Sequence, residues 1–221
     1  MQNRHIDRKR YFDELAKTSE EIYIDYLKPY KNIGPGCKVL EIGCGEGGNL
    51  LPFAQAGCKV AGLDLAAGKI DNARKFFATL ETEGEFACAD FLKTNPFEKD
   101  GLFDIILIHD VIEHIEPEGK DAFFERLKMY LKPDGIIFFA FPAWQMPFGG
   151  HQQICRSKVC SKVPFMHVLP VFMYKAWLKM FGEQKDKIDE LLSIKRSRMT
   201  PEKFEKLCAR HGYGIKDRIF W

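Results

Sequence analysis

Long apolar runs are missing from this 221-residue chain. None approaches the ~18–20 consecutive residues of a membrane-spanning helix, so no span is expected. The N-terminus, Met1-Gln2-Asn3-Arg4-His5, leads straight into charged sequence and lacks the apolar stretch of a secretory signal. Cysteine occurs seven times, an odd number, with no Cys-x-x-Cys pair. That excludes a paired disulfide framework and predicts a reduced, cytoplasmic compartment. An excess of one charge is also lacking: the net is +2, which points neither to nor away from an anionic partner. Internal repeats and low-complexity tracts are absent, which excludes a solenoid. At 46% hydrophobic and 29% charged the composition is that of an ordinary globular protein.

What is present is alternation. Short apolar runs at 38–42, 59–63, 85–89, 103–108 and 135–141 read as strands, and near-continuous apolar strands belong to sheets covered on both faces. Helices are expected over 49–56, 67–80 and 118–131, the last entered at Pro117 and stopped by Pro133-Asp134-Gly135. Strand and helix in turn predict a doubly wound, Rossmann-like α/β fold. Residues 1–32 have helical apolar spacing (Tyr11, Phe12 and Leu15, then Ile22, Tyr26 and Leu27) and read as a helical cover. Thr200-Pro201-Glu202 is a good helix start, and Gly214–Trp221 reads as a further strand. The segment 143–199 is irregular and strongly basic, with a net +6 that leaves about −4 for the rest of the chain. It is read as an inserted lid on one domain spanning 1–221.

Glu41-Ile-Gly43-Cys44-Gly45-Glu-Gly47-Gly48 follows a strand and opens a helix. Glycines let a backbone turn sharply and approach a ligand, and ligands of such sheets lie outside the carboxyl ends of the strands. Gly43, Gly45 and Gly48 also have the G-x-G-x-x-G spacing of dinucleotide binders. Asp64, nineteen residues after Gly45, ends the second strand, where a carboxylate accepts from both hydroxyls of a ribose. Nicotinamide cofactors and S-adenosylmethionine both carry that ribose, so loop and acid together leave the choice open.

Further motifs narrow it. Val39–Gly48 resembles the first motif of the class I S-adenosylmethionine-dependent methyltransferases. Asp64 matches that family's ribose acid, Ala89-Asp90-Phe91 its adenine motif, and Leu131-Lys-Pro-Asp-Gly135 its turn before the fifth strand. Phe103–Ile115 is similar to the fourth motif of the ubiquinone-biosynthesis-like branch (methyltransferase types 11 and 12). The resemblance covers about 36–142, more weakly 200–221. It implies a seven-stranded, mostly parallel sheet, whose last strand would either fall beyond Trp221 or be replaced by some other completion of the sheet edge. It implies S-adenosylmethionine as cofactor and S-adenosylhomocysteine as product. Gly43, Cys44 and Gly45 would lie under the methionine half, with Glu41 orienting its amino group. Asp64 would hold the ribose with Leu65 beside the adenine, Asp90 and Phe91 would hold the adenine edge, and the His109 backbone would lie near the sulfonium. Ala66 departs from the small polar residue common there in the family. Tyr11 and Phe12 would either pack or close over the cofactor.

The acceptor is less legible. A hydroxyl acceptor needs a base, and histidine titrates near neutrality. His109 and His114, after the fourth strand, and His151, in Phe148-Gly-Gly-His-Gln-Gln153, are the candidates; His114 would equally cap or pack the next helix. Leu169, Phe172, Met173, Trp177, Met180 and Phe181 would wall an apolar pocket or pack the lid helix on the core. The basic lid would favour an anionic acceptor. His151, Cys155, Cys160 and His167 have uneven spacing for zinc, so no metal is expected. The reading is methyl transfer to a small molecule, with no nucleic-acid module. Its rivals are methylation of a macromolecule such as tRNA or protein, and a non-catalytic cofactor-binding protein. Oligomeric state leaves no signal.

Overall fold

A computed structural model describes residues 7–220, which divide into two compact units. One comprises 7–111 with Arg126–Ala140, the other Ile112–Glu125 with 141–220.

The first unit is built on five parallel strands: β1 (Lys38–Ile42), β2 (Lys59–Asp64), β3 (Glu85–Cys88), β4 (Phe103–His109) and β5 (Leu131–Ala140), in the order β3-β2-β1-β4-β5. The order reverses at β1, the topological switch point beside which open α/β sheets bind ligands. Val39, Leu40 and Ile42 and the run Ile105–Ile108 are at most 2% exposed, so the unbroken apolar runs mark strands buried on both faces. β5 begins at Leu131, earlier than its apolar run suggests. Leu131 pairs with Phe103 and the next pair is Ile136 with Ile105, so 132–135 bulge from the ladder. Lys132 Nζ lies 2.8 Å from Asp104 Oδ2, and Lys31 Nζ lies 2.6 Å from Asp134 Oδ2. Those ion pairs hold a Pro-Asp-Gly turn inside a strand.

Helix α1 (Arg8–Thr18) is capped by Asp7, whose Oδ1 accepts from the Arg10 amide at 3.0 Å. A wide π turn at Ser19–Tyr23 leads into α2 (Ile24–Leu27). The helical cover thus spans 8–27; the first six residues of the expectation lie outside those described. Phe12 is fully buried, its ring 5.0 Å from Phe76 and 6.3 Å from Phe77, so it packs into the core. Behind the glycine loop come α3 (Leu51–Gln55) and, after β2, α4 (Ala67–Thr79).

In the second unit, α5 (Lys120–Leu127) starts near its N-terminal end, and α6 (Val171–Met180), α7 (Lys185–Ser197) and α8 (Pro201–Arg210) follow. Cys155, Cys160, Tyr174, Leu178, Ile188 and Leu191 form a small core under α6 and α7. Lys195, 3% exposed, is satisfied there by the carbonyls of His167 (2.6 Å) and Leu169 (2.7 Å). Thr200 caps α8 through its hydroxyl, which accepts from the Lys203 amide. His211 lies between Glu125 Oε1 (2.6 Å) and Asp121 Oδ1 (2.8 Å), tying α8 to α5.

Two expectations need correction. Residues 214–220 form no strand: they join no ladder, and Ile215, Ile219 and Phe220 stay 46–66% exposed. A period-2 pattern makes a strand only where a neighbour supplies hydrogen bonds. On the lid helix, Phe172 (74%), Met173 (44%) and Met180 (71%) face solvent, neither walling a pocket nor packing on the core. Trp177 and Phe181 do pack, with ring centroids 5.6 Å apart. Among the described residues no helix is long and apolar enough to cross a membrane.

Candidate active site

The glycine loop leaves β1 as a sharp turn. Gly43 (φ +76°) and Gly45 (φ +55°) lie in the left-handed region that side chains avoid. A Cβ on Gly43 would come 2.4 Å from Val111 Cγ2, so packing forbids one; on Gly45 it would enter open space. Gly45 is therefore bare where nothing of the protein fills the volume, a cradle left for a ligand. The Gly43 and Cys44 amides both donate to the Leu63 carbonyl, at 2.8 and 2.9 Å, which brings the loop against the end of β2.

There stands Asp64, 8% exposed. Its Oδ2 accepts from the Gly45 amide at 3.0 Å and its Oδ1 from the Ala66 amide at 2.8 Å. The second bond stands in for the cap that Ala66, as the residue preceding α4, cannot make. The Asp64 carbonyl accepts from the Ala89 amide at 3.1 Å, bringing Asp90 alongside. Asp90 accepts from the Leu92 amide (2.9 Å) and pairs with Lys93 (3.0 Å), partners that hold its carboxyl below the usual range. The bare backbone at 43–45, Asp64 and Asp90 thus converge at the carboxyl ends of β1, β2 and β3. Leu65 beside them is 73% exposed. Cys44 and Phe91 turn into the core, 2% and 5% exposed, Phe91 against Tyr130 at 5.1 Å. His109 ends β4 with its ring 6.1 Å from that of Tyr23.

Glu41 is buried on β1. Asn49 Nδ2 donates to its Oε1 at 2.7 Å, while its Oε2 has no hydrogen-bond partner. Burial pushes its pKa up to about 8. An orphaned buried carboxyl oxygen fits a ligand ammonium. If the amino group expected from the resemblance binds there, ionised Glu41 is the binding form. Ionisation with a pKa near 8 rises about fivefold from pH 7 to pH 8. The affinity of wild type for S-adenosylhomocysteine, divided by that of Glu41→Gln, is expected to rise by that factor. Calorimetric titrations at the two pH values measure it, and a constant ratio removes Glu41 from the site. In the absence of ligand the sign reverses. The folded state holds a proton that the unfolded chain loses above about pH 4.3, so this group lowers stability as pH rises towards 8.

In the second unit Glu113, 1% exposed, has its Oε1 3.0 Å from His151 Nε2. The contact is an ion pair when the ring is protonated, and neither carboxyl oxygen makes a hydrogen bond. The His114 ring, on an exposed residue, lies 5.0 Å from that of His151 at 75°. Lys120 braces this turn, donating to the carbonyls of Ile112 (2.6 Å) and Ile115 (2.7 Å); burial lowers its pKa to about 8. His151 has φ +56°, an uncommon conformation for a residue with a side chain. His114 and His151 therefore meet, around an acid that the sequence reading left without a role. Glu113-His114 was visible as a pair; that His151 comes to it across 38 positions was not.

The four residues considered for zinc take other places. Cys155 and Cys160 belong to the core under α6, and His167, fully buried, has its Nε2 2.9 Å from the Trp144 carbonyl. Among the described residues, ligand atoms of metal-binding types gather within 4.8 Å only at Glu113, His114 and His151.

Comparison with known proteins adds a family. Residues 39–135 match a family described as a methyltransferase domain. The ubiquinone biosynthesis O-methyltransferase of Rhodopseudomonas palustris (strain HaA2) is 34% identical over 105 residues, 48% of this chain and 40% of that protein. Phosphoethanolamine N-methyltransferase 1 of Zea mays is 29% identical over 207 residues, 86% of this chain and 36% of that protein. Among solved structures, the cyclopropane synthase MmaA2 from Mycobacterium tuberculosis has a TM-score of 0.60 at 22% identity, covering 89% of this chain and 61% of that one, a likeness of fold. The chain spans 38–50% of the length of the first curated relatives it resembles.

Proposed function

Because residues 39–135 match a methyltransferase domain and the chain resembles ubiquinone biosynthesis O-methyltransferases, we propose that it transfers a methyl group from S-adenosylmethionine to a small-molecule acceptor. The observation that carries this is the convergence of Gly45, Asp64 and Asp90 at the carboxyl ends of β1, β2 and β3, with the orphaned Glu41 oxygen as the fourth anchor. In this reading Asp64 accepts from the ribose, Asp90 and the Phe91 backbone take the adenine edge, and Leu65 covers it. Gly43, Cys44 and Gly45 give backbone room to the methionine half, Glu41 receives its ammonium, and the His109 backbone lies near the sulfonium.

When bound, the cofactor supplies a methyl group already activated by positive sulfur. The chain's own work is to orient the acceptor and take its proton, and orientation alone is worth up to about 7–11 kcal/mol. We assign the proton to His151. With its own proton on Nε2, facing Glu113, the ring keeps a lone pair on Nδ1, and the Glu113 carboxylate stabilises the imidazolium that forms. A base suits a hydroxyl acceptor, in keeping with the O-methyltransferases among the relatives. Residues 143–199 would act as the lid that selects it.

The test is turnover of S-adenosylmethionine labelled in the methyl group against separated metabolite and RNA pools. Label is expected in a small product. Label in RNA or protein, or cofactor binding without turnover on any pool, overturns the reading.

A further inference from the structure

Helix α6 is amphipathic in an unusual sense, because both of its faces are apolar. Tyr174 and Leu178, fully buried, pack inward on Cys155, Cys160 and Leu191. At 100° per residue the opposite side carries Phe172, Ala176 and Met180 in one line, with Met173 at one margin and Lys179 at the other. Phe172 is 74% exposed, Met180 71% and Val171 52%, and the preceding loop adds Val168 (56%) and Phe165 (48%). Lys175 and Lys179 lie along one side of the line, exposed. From 135 to 182 the chain has no aspartate or glutamate, but five cations: Arg156, Lys158, Lys162, Lys175 and Lys179. The next acid, Glu183, is buried and accepts from the amides of Arg156 (3.2 Å) and Ser157 (2.8 Å), so it offsets nothing at the surface.

We propose that the outward face of α6 and the loop before it dock onto the surface of an anionic lipid bilayer. The proposal stands on this surface alone and is independent of methyl transfer. Contiguous exposed apolar side chains mark an interaction site. Of the occupants that would cover it, a second copy would bring the same five cations against these five, and like charges repel across an interface. An anionic bilayer satisfies both halves of the pattern. Phe172, Met173 and Met180 enter the headgroup–acyl boundary while lysine stems lie along it and ammonium groups reach phosphates. Ten residues give about 15 Å of helix, so α6 lies in the interface and does not span it.

Co-sedimentation of the full chain with vesicles tests this. Binding is expected to phosphatidylcholine vesicles containing phosphatidylglycerol, not to phosphatidylcholine alone, and to vanish near 1 M salt, where the Debye length is about 3 Å. Lys175→Gln and Lys179→Gln should each weaken it about fivefold. Phe172→Ser with Met180→Ser should abolish it, with the melting temperature and S-adenosylhomocysteine affinity unchanged, since both side chains are exposed. No binding to the anionic vesicles overturns the proposal, as does binding that the double serine variant leaves intact. So does light scattering that shows a dimer which the serine variant dissociates, or capture by soluble polyglutamate but not by vesicles.

Discussion

Asp64→Ala is expected to weaken S-adenosylhomocysteine binding roughly a hundredfold, about 3 kcal/mol, in calorimetric titration. The carboxylate joins the end of β2 to the glycine loop through the Gly45 amide and to the start of α4 through the Ala66 amide. A ribose that uses the same oxygens gains charge-assisted bonds of about 1.5–3 kcal/mol each, some of them now held by the backbone. Asp64→Asn keeps the shape and one carbonyl acceptor, so about a tenfold loss is expected from it. Asp64 is nearly buried but lies at the end of the strand, where water can reach freed amides. The alanine variant should therefore stay folded by circular dichroism. Folded protein with unchanged affinity would dismiss these strand ends as the cofactor site.

The second large effect belongs to the pair in the other unit. His151→Ala is expected to lower kcat about 10²- to 10⁴-fold, the usual worth of a general base, while cofactor affinity stays as in wild type. Glu113→Gln keeps the volume and removes the charge 3.0 Å from Nε2. Glu113 acts through His151, so it is a positioning residue, and its signature is a displaced pH–rate profile more than a lost rate. Losing the carboxylate removes the charge that stabilises the imidazolium, so the acidic limb of the pH–rate profile is expected to move to lower pH. His114→Ala, on an exposed neighbour, should cost less than tenfold. An unchanged kcat in His151→Ala leaves the acceptor without a base from this pair, as an already neutral amine acceptor would allow.

β1, β2 and β4 were legible because burial on both faces demands an unbroken apolar run, and Val39-Leu40 and Ile105–Ile108 obey it. Gly43, Gly45, Asp64 and Asp90 were legible for a related reason: each sits just past such a strand, and parallel pairing brings strand ends to one side. The early start of β5 was hidden, because Pro133-Asp134-Gly135 signals a turn, and it is held as a bulge by ion pairs to Lys31 and Asp104. By periodicity alone Glu41 is one polar residue in a strand, and only the resemblance gave it a role at the amino group. Its buried, half-satisfied carboxyl depends on Asn49 lying across from it.

The amino-acid sequence by itself determined the order of strands and helices, the glycine turn and the acids that follow it. These are local matters, set by backbone freedom, by side-chain periodicity and by what a strand end can present. Tertiary structure alone decided that His151 meets Glu113, that 214–220 joins no ladder, and that Phe172 and Met180 turn outward. Each of those depends on which surfaces come together in space, and neither composition nor spacing records which apolar side chains find a neighbour and which are left to the solvent.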